Sequence, residues 1–267
     1  DTMEKQATWK KILYSLSPVF VFVLLFVLME LAIDVYEVPS WLLAKPTEIG
    51  AALITNIGEI WANLKVTLIE ILLGYLIGVS FGILLALIFT SNQFLDRAIS
   101  PYVIFLIVTP QIILVPLLML ELGFGVEVKI VAVALSSFPI NMMSTMTGVR
   151  SVSADRYELM KSLRATKLQT FIKVLVPSAL PNVFTGMRLA TIFATTSAVG
   201  AELLCGNTGV GPRISYYTEY MSVDISFAYV LVMVLVGVVF YTVVGATACF
   251  TVLGCLGNTA RRHAGGT

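Results

Sequence analysis

The chain is poor in charge. Only 12% of its 267 residues are Asp, Glu, Lys or Arg, about half the roughly 25% of an ordinary soluble domain. So few ionic groups cannot coat a water-soluble surface of this size, and 58% hydrophobic residues with a mean hydropathy of +0.92 point the same way. A soluble globular enzyme and a disordered chain are excluded. The single histidine, His263, stands in the C-terminal tail, which weakens a proton-driven transporter and a metal-dependent membrane protease. Three cysteines with no CxxC pair make no disulfide framework. The net charge is +1 and the 17 basic residues form no single patch, so nothing marks a nucleic-acid partner.

Long apolar runs are plentiful. About 20 apolar residues suffice to cross a bilayer core about 30 Å thick, and six segments qualify: Ile12 to Ile33, Val66 to Thr90, Ala98 to Leu120, Ile130 to Val149, Pro181 to Ala201, and one from Ile225 that stays uncharged to Ala260. The expected fold is an all-α polytopic membrane protein with about six transmembrane helices. The expected organisation is an N-terminal segment (1–11), a first span (12–33), and an external loop with a short amphipathic helix (34–65). A core of five further spans (66–257) and a tail (258–267) follow. The first span is longer than the apolar region of a signal peptide and reads as a retained anchor. Of the 17 Lys and Arg residues, only Lys45, Lys65, Lys129 and Arg213 fall on the side away from the termini. Basic residues stay in the cytoplasm, so both termini are expected there.

Within the spans, Gly74, Gly78 and Gly82 recur every four residues. Such a stripe lets another helix backbone approach closely, and plain packing is favoured over a role in lining a pathway. Pro101, Pro110 and Pro116 each remove a backbone donor and can kink the third span. Glu30, Glu70 and Glu202 all stand near span ends, where a carboxylate can snorkel to the interface. No buried pairing of an acid with Lys or His is expected. Gly206 to Gly211 (GNTGVG) lacks the Lys-Ser/Thr of a phosphate loop and reads as a turn-rich external loop. For a solute pathway the candidates are Asn141, Ser144, Thr195 and Glu202; no catalytic or metal-ligating set is present.

The loop 150–180, between spans four and five, is the most charged. Asp155 and Glu158 stand at capping-box spacing. Leu159, Met160 and Leu163 then form an apolar patch, beside a basic face of Lys161, Arg164 and Lys167. Such a helix can lie on lipid or dock in a partner's groove, and charge does not decide between them. Spacing does. The loop resembles the EAA coupling loop of bacterial ABC importer permeases: Glu-Ala-Ala, three residues, Gly, nine residues, Ile-x-Leu-Pro. Glu158-Leu159-Met160 takes the first place, Arg164 the glycine place, and Val174 to Pro177 the last. Pro46 to Ile49, Thr67-Leu68, Gly74-Tyr75, Thr109-Pro110, Pro116-Leu117 and Gly123 to Gly125 are similar to landmarks of the nitrate/sulfonate/taurine-type branch.

The resemblance implies a permease of the bacterial cytoplasmic (inner) membrane, most simply a homodimer. It would work with two ABC ATPase subunits and an external solute-binding protein, and pass a small solute, an organic or inorganic anion. The chain itself would bind no cofactor, ATP and Mg being held by the ATPase. The residues implied in coupling are Asp155, Glu158, Leu159, Met160, Lys161, Leu163, Arg164, Ala165, Lys167 and Pro177, with Glu158 capping and orienting the helix. If the Arg164 position needs a positive φ, a non-glycine residue costs on the order of 1 kcal/mol there. The alternatives are an ATP-independent secondary transporter, for which midplane charges or an internal repeat would be the sign, and a structural membrane subunit.

Overall fold

The computed structural model describes residues 20–21 and 23–264, and every regular element among them is helical. The expected segment 1–11 and the first part of the span expected at 12–33 lie outside the described residues. The helices are α1 (20–35, residue 22 excepted), α2 (Pro46–Thr55), α3 (Ile57–Thr90), α4 (Gln93–Val108), α5 (Leu114–Leu122), α6 (Val126–Arg150), α7 (Ala154–Ser162), α8 (Lys167–Thr170), α9 (Val176–Cys205), α10 (Val210–Glu219) and α11 (Val223–Ala264). A short 3-10 turn, Gln111–Ile113, precedes α5, and a π-helical stretch, Phe171–Leu175, precedes α9.

Three of the described helices are long and apolar enough to cross a membrane alone: α3, α6 and the Val223–Ala248 part of α11. The count rises to five if α4 with α5, bent by 78°, and α8–α9 with α10, bent by 55°, each make one broken span. The third span, expected as one crossing from Ala98 to Leu120, is therefore broken. Pro101 and Pro116 sit inside α4 and α5, and it is Pro110 that ends α4. The residue before a proline avoids the helical region, and Thr109 is extended (φ −64°, ψ 122°). At the other end of the chain order, α3 begins at Ile57, nine residues before the expected Val66, so the close of the external loop is already helix.

The chain divides into two compact units. One takes in the residues up to Ile60 together with Arg213–Leu231. In it, Pro46 starts α2 and the Lys45 backbone N–H donates to the Glu48 carboxylate (3.1 Å). Lys45 pairs with Asp34 at 2.5 Å, which raises the ammonium above its ordinary pKa. Glu59 accepts from the Tyr217 hydroxyl (2.8 Å) and pairs with Arg213 (3.4 Å). Tyr217 stacks on the fully buried Tyr229.

The second unit, Trp61–Pro212 with the chain from Val232, holds the core that matters for function. Its helices meet through small residues. A Cβ on Gly74, Gly78 or Gly82 would come within 2.7 Å of the carbonyl oxygen of Ile130, Ala134 or Phe138 in turn, so the stripe seats α3 directly on the α6 backbone. Across α6 and α9, Gly148 faces Asn182 and Gly186 faces Ser144, each at 2.6 Å from a would-be Cβ. Outward-pointing Leu72, Leu73, Leu76, Ile77, Phe81 and Leu84 on α3 are about half exposed, which suits a lipid-facing surface with its backbone bonds satisfied inside the helix.

Candidate functional site

In the loop 150–180 the helix α7 starts earlier than the spacing suggests. The N-cap is Ser153, extended at φ −63°, ψ 146°, with no side-chain cap bond. Asp155 falls in the first turn, where a carboxylate complements the positive helix end. Glu158 lies in mid-helix, so the expected capping box and the capping role of Glu158 are corrected. α7 stops at Leu163 in a Schellman turn: the Ala165 N–H donates to the Met160 carbonyl and the Arg164 N–H to the Lys161 carbonyl, both at 3.0 Å. This turn needs a left-handed residue, and Arg164 supplies it at φ 52°. Thr166 then caps α8, exchanging bonds with Gln169. Pro177 has no N–H and crowds the carbonyl four residues back, and the preceding turn widens so that the Val176 N–H reaches the Phe171 carbonyl.

The result is a helix, a sharp turn and a second helix with apolar side chains left in the open. Leu159, Leu163 and Leu168 are 60, 68 and 67% exposed. Asp155, Glu158, Lys161, Arg164 and Lys167 are exposed around them, while Met160 and Ala165 are half-buried. Between α7 and the start of α9 lies a cleft of about 390 Å³ lined by Arg156, Leu159, Met160, Lys173, Val174, Pro177 and Ser178. The loop thus brings together its apolar patch, its basic residues and Pro177, as a surface with a hollow beside it.

A second cleft, about 340 Å³, opens where the break at Thr109–Gln111 faces α6 and α9. Its polar lining is Thr109, Gln111, Ser136, Thr196 and Ser197, set among Ile107, Pro139, Ile140 and Phe193. No Lys or Arg lines it. The Ser197 hydroxyl donates to the Ala132 carbonyl (3.1 Å) and that of Ser136 to the Phe193 carbonyl (3.4 Å), tying α6 to α9 at the wall. None of the four expected pathway residues lines this cleft. Asn141 is buried, with its Oδ1 accepting from Thr145 (3.1 Å) and its Nδ2 without a partner among the described residues. Ser144 sits at the contact with Gly186. Thr195 is buried and bonded to its own helix at Thr191.

Glu202, the fourth, belongs to an arrangement that sequence reasoning missed. Glu70 and Glu202 do not snorkel: both are fully buried. Lys129, counted as a loop cation, is 2% exposed and its Nζ donates to Glu70 Oε1 at 2.7 Å and to the Thr208 carbonyl at 2.9 Å. The acid–Lys pair not expected inside the spans is present. Glu202 Oε1 accepts from Thr67 Oγ1 (2.7 Å) and Oε2 from the Gly211 N–H (2.8 Å). Thr67 Oγ1 accepts in turn from the Val210 N–H (3.0 Å). Glu70 Oε2 has no hydrogen-bond partner among the described residues. Of the other acid, Glu30, the side chain accepts from Thr47 at 2.7 Å. The GNTGVG run is thereby explained without phosphate. Gly209 stands at φ 111° and a Cβ there would lie 1.9 Å from Glu202 Oε1, while one on Gly211 would lie 2.5 Å from Glu202 Cβ. The glycines let the turn close on a carboxylate. A legible signal existed, since Glu70 and Lys129 are opposite charges at the same end of two spans.

Residues 78–248 match the family described as binding-protein-dependent transport system inner membrane component. The Formylaminopyrimidine transport permease protein ThiX of Halalkalibacterium halodurans is 31% identical over 236 residues, covering 86% of this chain and 92% of that one. The Taurine transport system permease protein TauC of Escherichia coli is 27% identical over 177 residues, 66% of this chain and 64% of that one. Among solved structures, an inward-facing MetNI methionine ABC transporter matches with a TM-score of 0.55 at 20% identity, over 72% of this chain and 94% of that one. An amino acid ABC transporter determined with histidines matches with a TM-score of 0.60 at 16% identity, over 76% and 96%.

Proposed function

The chain belongs to the family of binding-protein-dependent transport system inner membrane components and is a permease subunit of an ABC importer; from that premise we propose how it carries out import. Two copies form the pathway in the bacterial inner membrane, each contributing the cleft walled by α6 and α9. A solute-binding protein delivers solute outside, and two ATPase subunits dock below on the loop 150–180, holding the ATP and Mg that this chain does not bind. The observation that carries the reading is the exposed set Leu159, Leu163 and Leu168 on a loop of fixed geometry. Apolar side chains held rigidly in water suit a partner's groove, and Lys161, Arg164 and Lys167 would meet an acidic rim.

ATP drives import only if it binds one conformational state better than another, and this loop is the place where that difference enters the permease. The solute is a small anion such as a sulfonate, a reading supported by the relative named for taurine. The uncharged lining of the cleft at Thr109–Gln111 favours a second reading, an uncharged heterocycle of the kind in the name of the Halalkalibacterium relative. The test is to purify the chain with its co-expressed genomic neighbours and to measure uptake of labelled taurine and of formylaminopyrimidine into vesicles. A nucleotide-binding subunit should co-purify and be lost with Leu163→Asp, and uptake should require ATP. A chain that purifies alone and moves solute without ATP would overturn the reading in favour of a secondary transporter.

A further inference from the structure

The buried charges lie on α3, α6 and α9 against the turn 206–211, and none of them lines either cleft. We infer that Thr67, Glu70, Lys129 and Glu202 are positioning residues for transport: they fix the turn 206–211 and the adjoining ends of α6 and α9 in one register, and so set the wall of the cleft. The inference rests on the permease reading above.

The bonds divide the labour residue by residue. Lys129 holds the Thr208 carbonyl, Thr67 the Val210 N–H, and Glu202 the Gly211 N–H. Every anchor of the turn thus comes from a different helix, and Gly209 and Gly211 have no room for a side chain against Glu202. The Glu202 charge is met by the hydroxyl of Thr67 and by the Gly211 N–H in the first turn of α10, where a helix carries partial positive charge. Among the described residues Lys129 is the cation paired with Glu70, whose Oε2 has no hydrogen-bond partner there. A buried ion pair is a poor way to gain stability, because apolar side chains of the same volume do as well or better. Its worth here is geometric. The Lys129 tether is directional and ends on a backbone carbonyl, which an apolar contact cannot imitate.

The register reaches the cleft along the same two helices. Ser136 lies about 10 Å along α6 from Lys129, and Ser197 about 8 Å along α9 from Glu202, at 1.5 Å per residue. Ser136 and Ser197 carry the α6–α9 bonds at the wall, and Gly200, two residues before Glu202, lines it. Because α6 and α9 are each continuous from the knot to the wall, a displacement of one end along the axis carries to the other.

The experiment uses the whole complex with its ATPase and binding protein. Uptake is resolved into maximal rate and half-saturating solute concentration, and the melting temperature is followed in parallel. Glu70→Leu and Lys129→Met alone should each lower the Tm, since each leaves a buried group uncompensated. The double variant Glu70→Leu/Lys129→Met should regain the Tm and keep the ATPase bound. Its maximal uptake rate should nevertheless stay about tenfold or more below the original, a loss that falls on the rate and not on solute affinity. Gly209→Ala, which removes no charge but pushes against Glu202, and Thr67→Val, which keeps the shape and loses the hydroxyl, should slow uptake in the same way. A folded double variant that transports at the original rate overturns the inference. If the double variant does not fold, wild-type rates in both Gly209→Ala and Thr67→Val overturn it. Failure of the permease reading shows itself separately, as uptake by the unaltered complex that does not need ATP.

Discussion

Arg164 shows how one residue can matter through its backbone. The Schellman turn after α7 demands a left-handed residue, and Arg164 stands there at φ 52°. A side chain with a Cβ is strained in that region, whereas glycine is not. Arg164→Gly should therefore stabilise the loop by about 1 kcal/mol, partly offset by the greater freedom of glycine in the unfolded chain. The check is a small rise in melting temperature of the detergent-solubilised protein, with ATPase docking retained; a fall would mean that the arginine side chain holds the turn through contacts of its own. The position was legible from the motif spacing, because Arg164 occupies the family's glycine place, but its conformation was not, since φ is set by where α7 stops. The buried charges were hidden for a different reason. Glu70 and Lys129 are 59 residues apart and Thr67 and Glu202 are 135 apart, and sequence alone tells only that each acid stands near a span end. Burial depends on which helices close over that end.

At the scale of the element, small residues decide how closely helices approach. A Cβ on Gly78 would meet the Ala134 carbonyl at 2.6 Å, and α6 backbone cannot step aside as a flexible side chain could. Gly78→Val should destabilise the folded chain by about 1–3 kcal/mol, the usual range for overpacking. Gly50, inside α2, has nothing within 4 Å of a would-be Cβ, so Gly50→Ala should be neutral or stabilising by up to about 1 kcal/mol through helix propensity. Thermal melts of the two variants side by side read the contrast; equal effects would mean that propensity and not close packing governs both sites. Most helices were legible here, because a four-residue glycine period and long apolar runs are local signals. The break in the third span was only half legible. Three prolines announced kinks, yet Pro101 and Pro116 are absorbed within helices while Pro110 ends one, and the sequence does not say which proline will find its freed groups satisfied. The start of α7 was placed too late for a similar reason, as Asp155 and Glu158 have capping-box spacing while the extended residue is Ser153.

At the scale of the whole molecule, sidedness ties the parts together. α6 carries Lys129 in its first turn and Arg150 in its last, and Arg150 pairs there with Asp96 at 2.7 Å and bonds Ser100. A helix of 25 residues spans about 37 Å at 1.5 Å per residue, more than a bilayer core. The buried knot with the turn 206–211 and the coupling loop therefore belong to opposite membrane faces. On the excess of Lys and Arg in the loop 150–180 we propose that this loop faces the cytoplasm, the side on which an ATPase finds ATP. This is open to a direct check with single cysteines, after Cys205, Cys249 and Cys255 are replaced. Asn207 and Ser162 are both exposed. A membrane-impermeant maleimide applied to intact spheroplasts should label Asn207→Cys at once and Ser162→Cys only after the membrane is opened. Labelling in the reverse order would put the exposed leucines of α7 outside the cell, where no ATPase could dock, and the coupling assignment would fall with it. Labelling in the expected order leaves the two ends of α6 with separate tasks, one face receiving solute above a fixed turn and the other receiving the work of ATP through a loop whose apolar side chains wait for a partner.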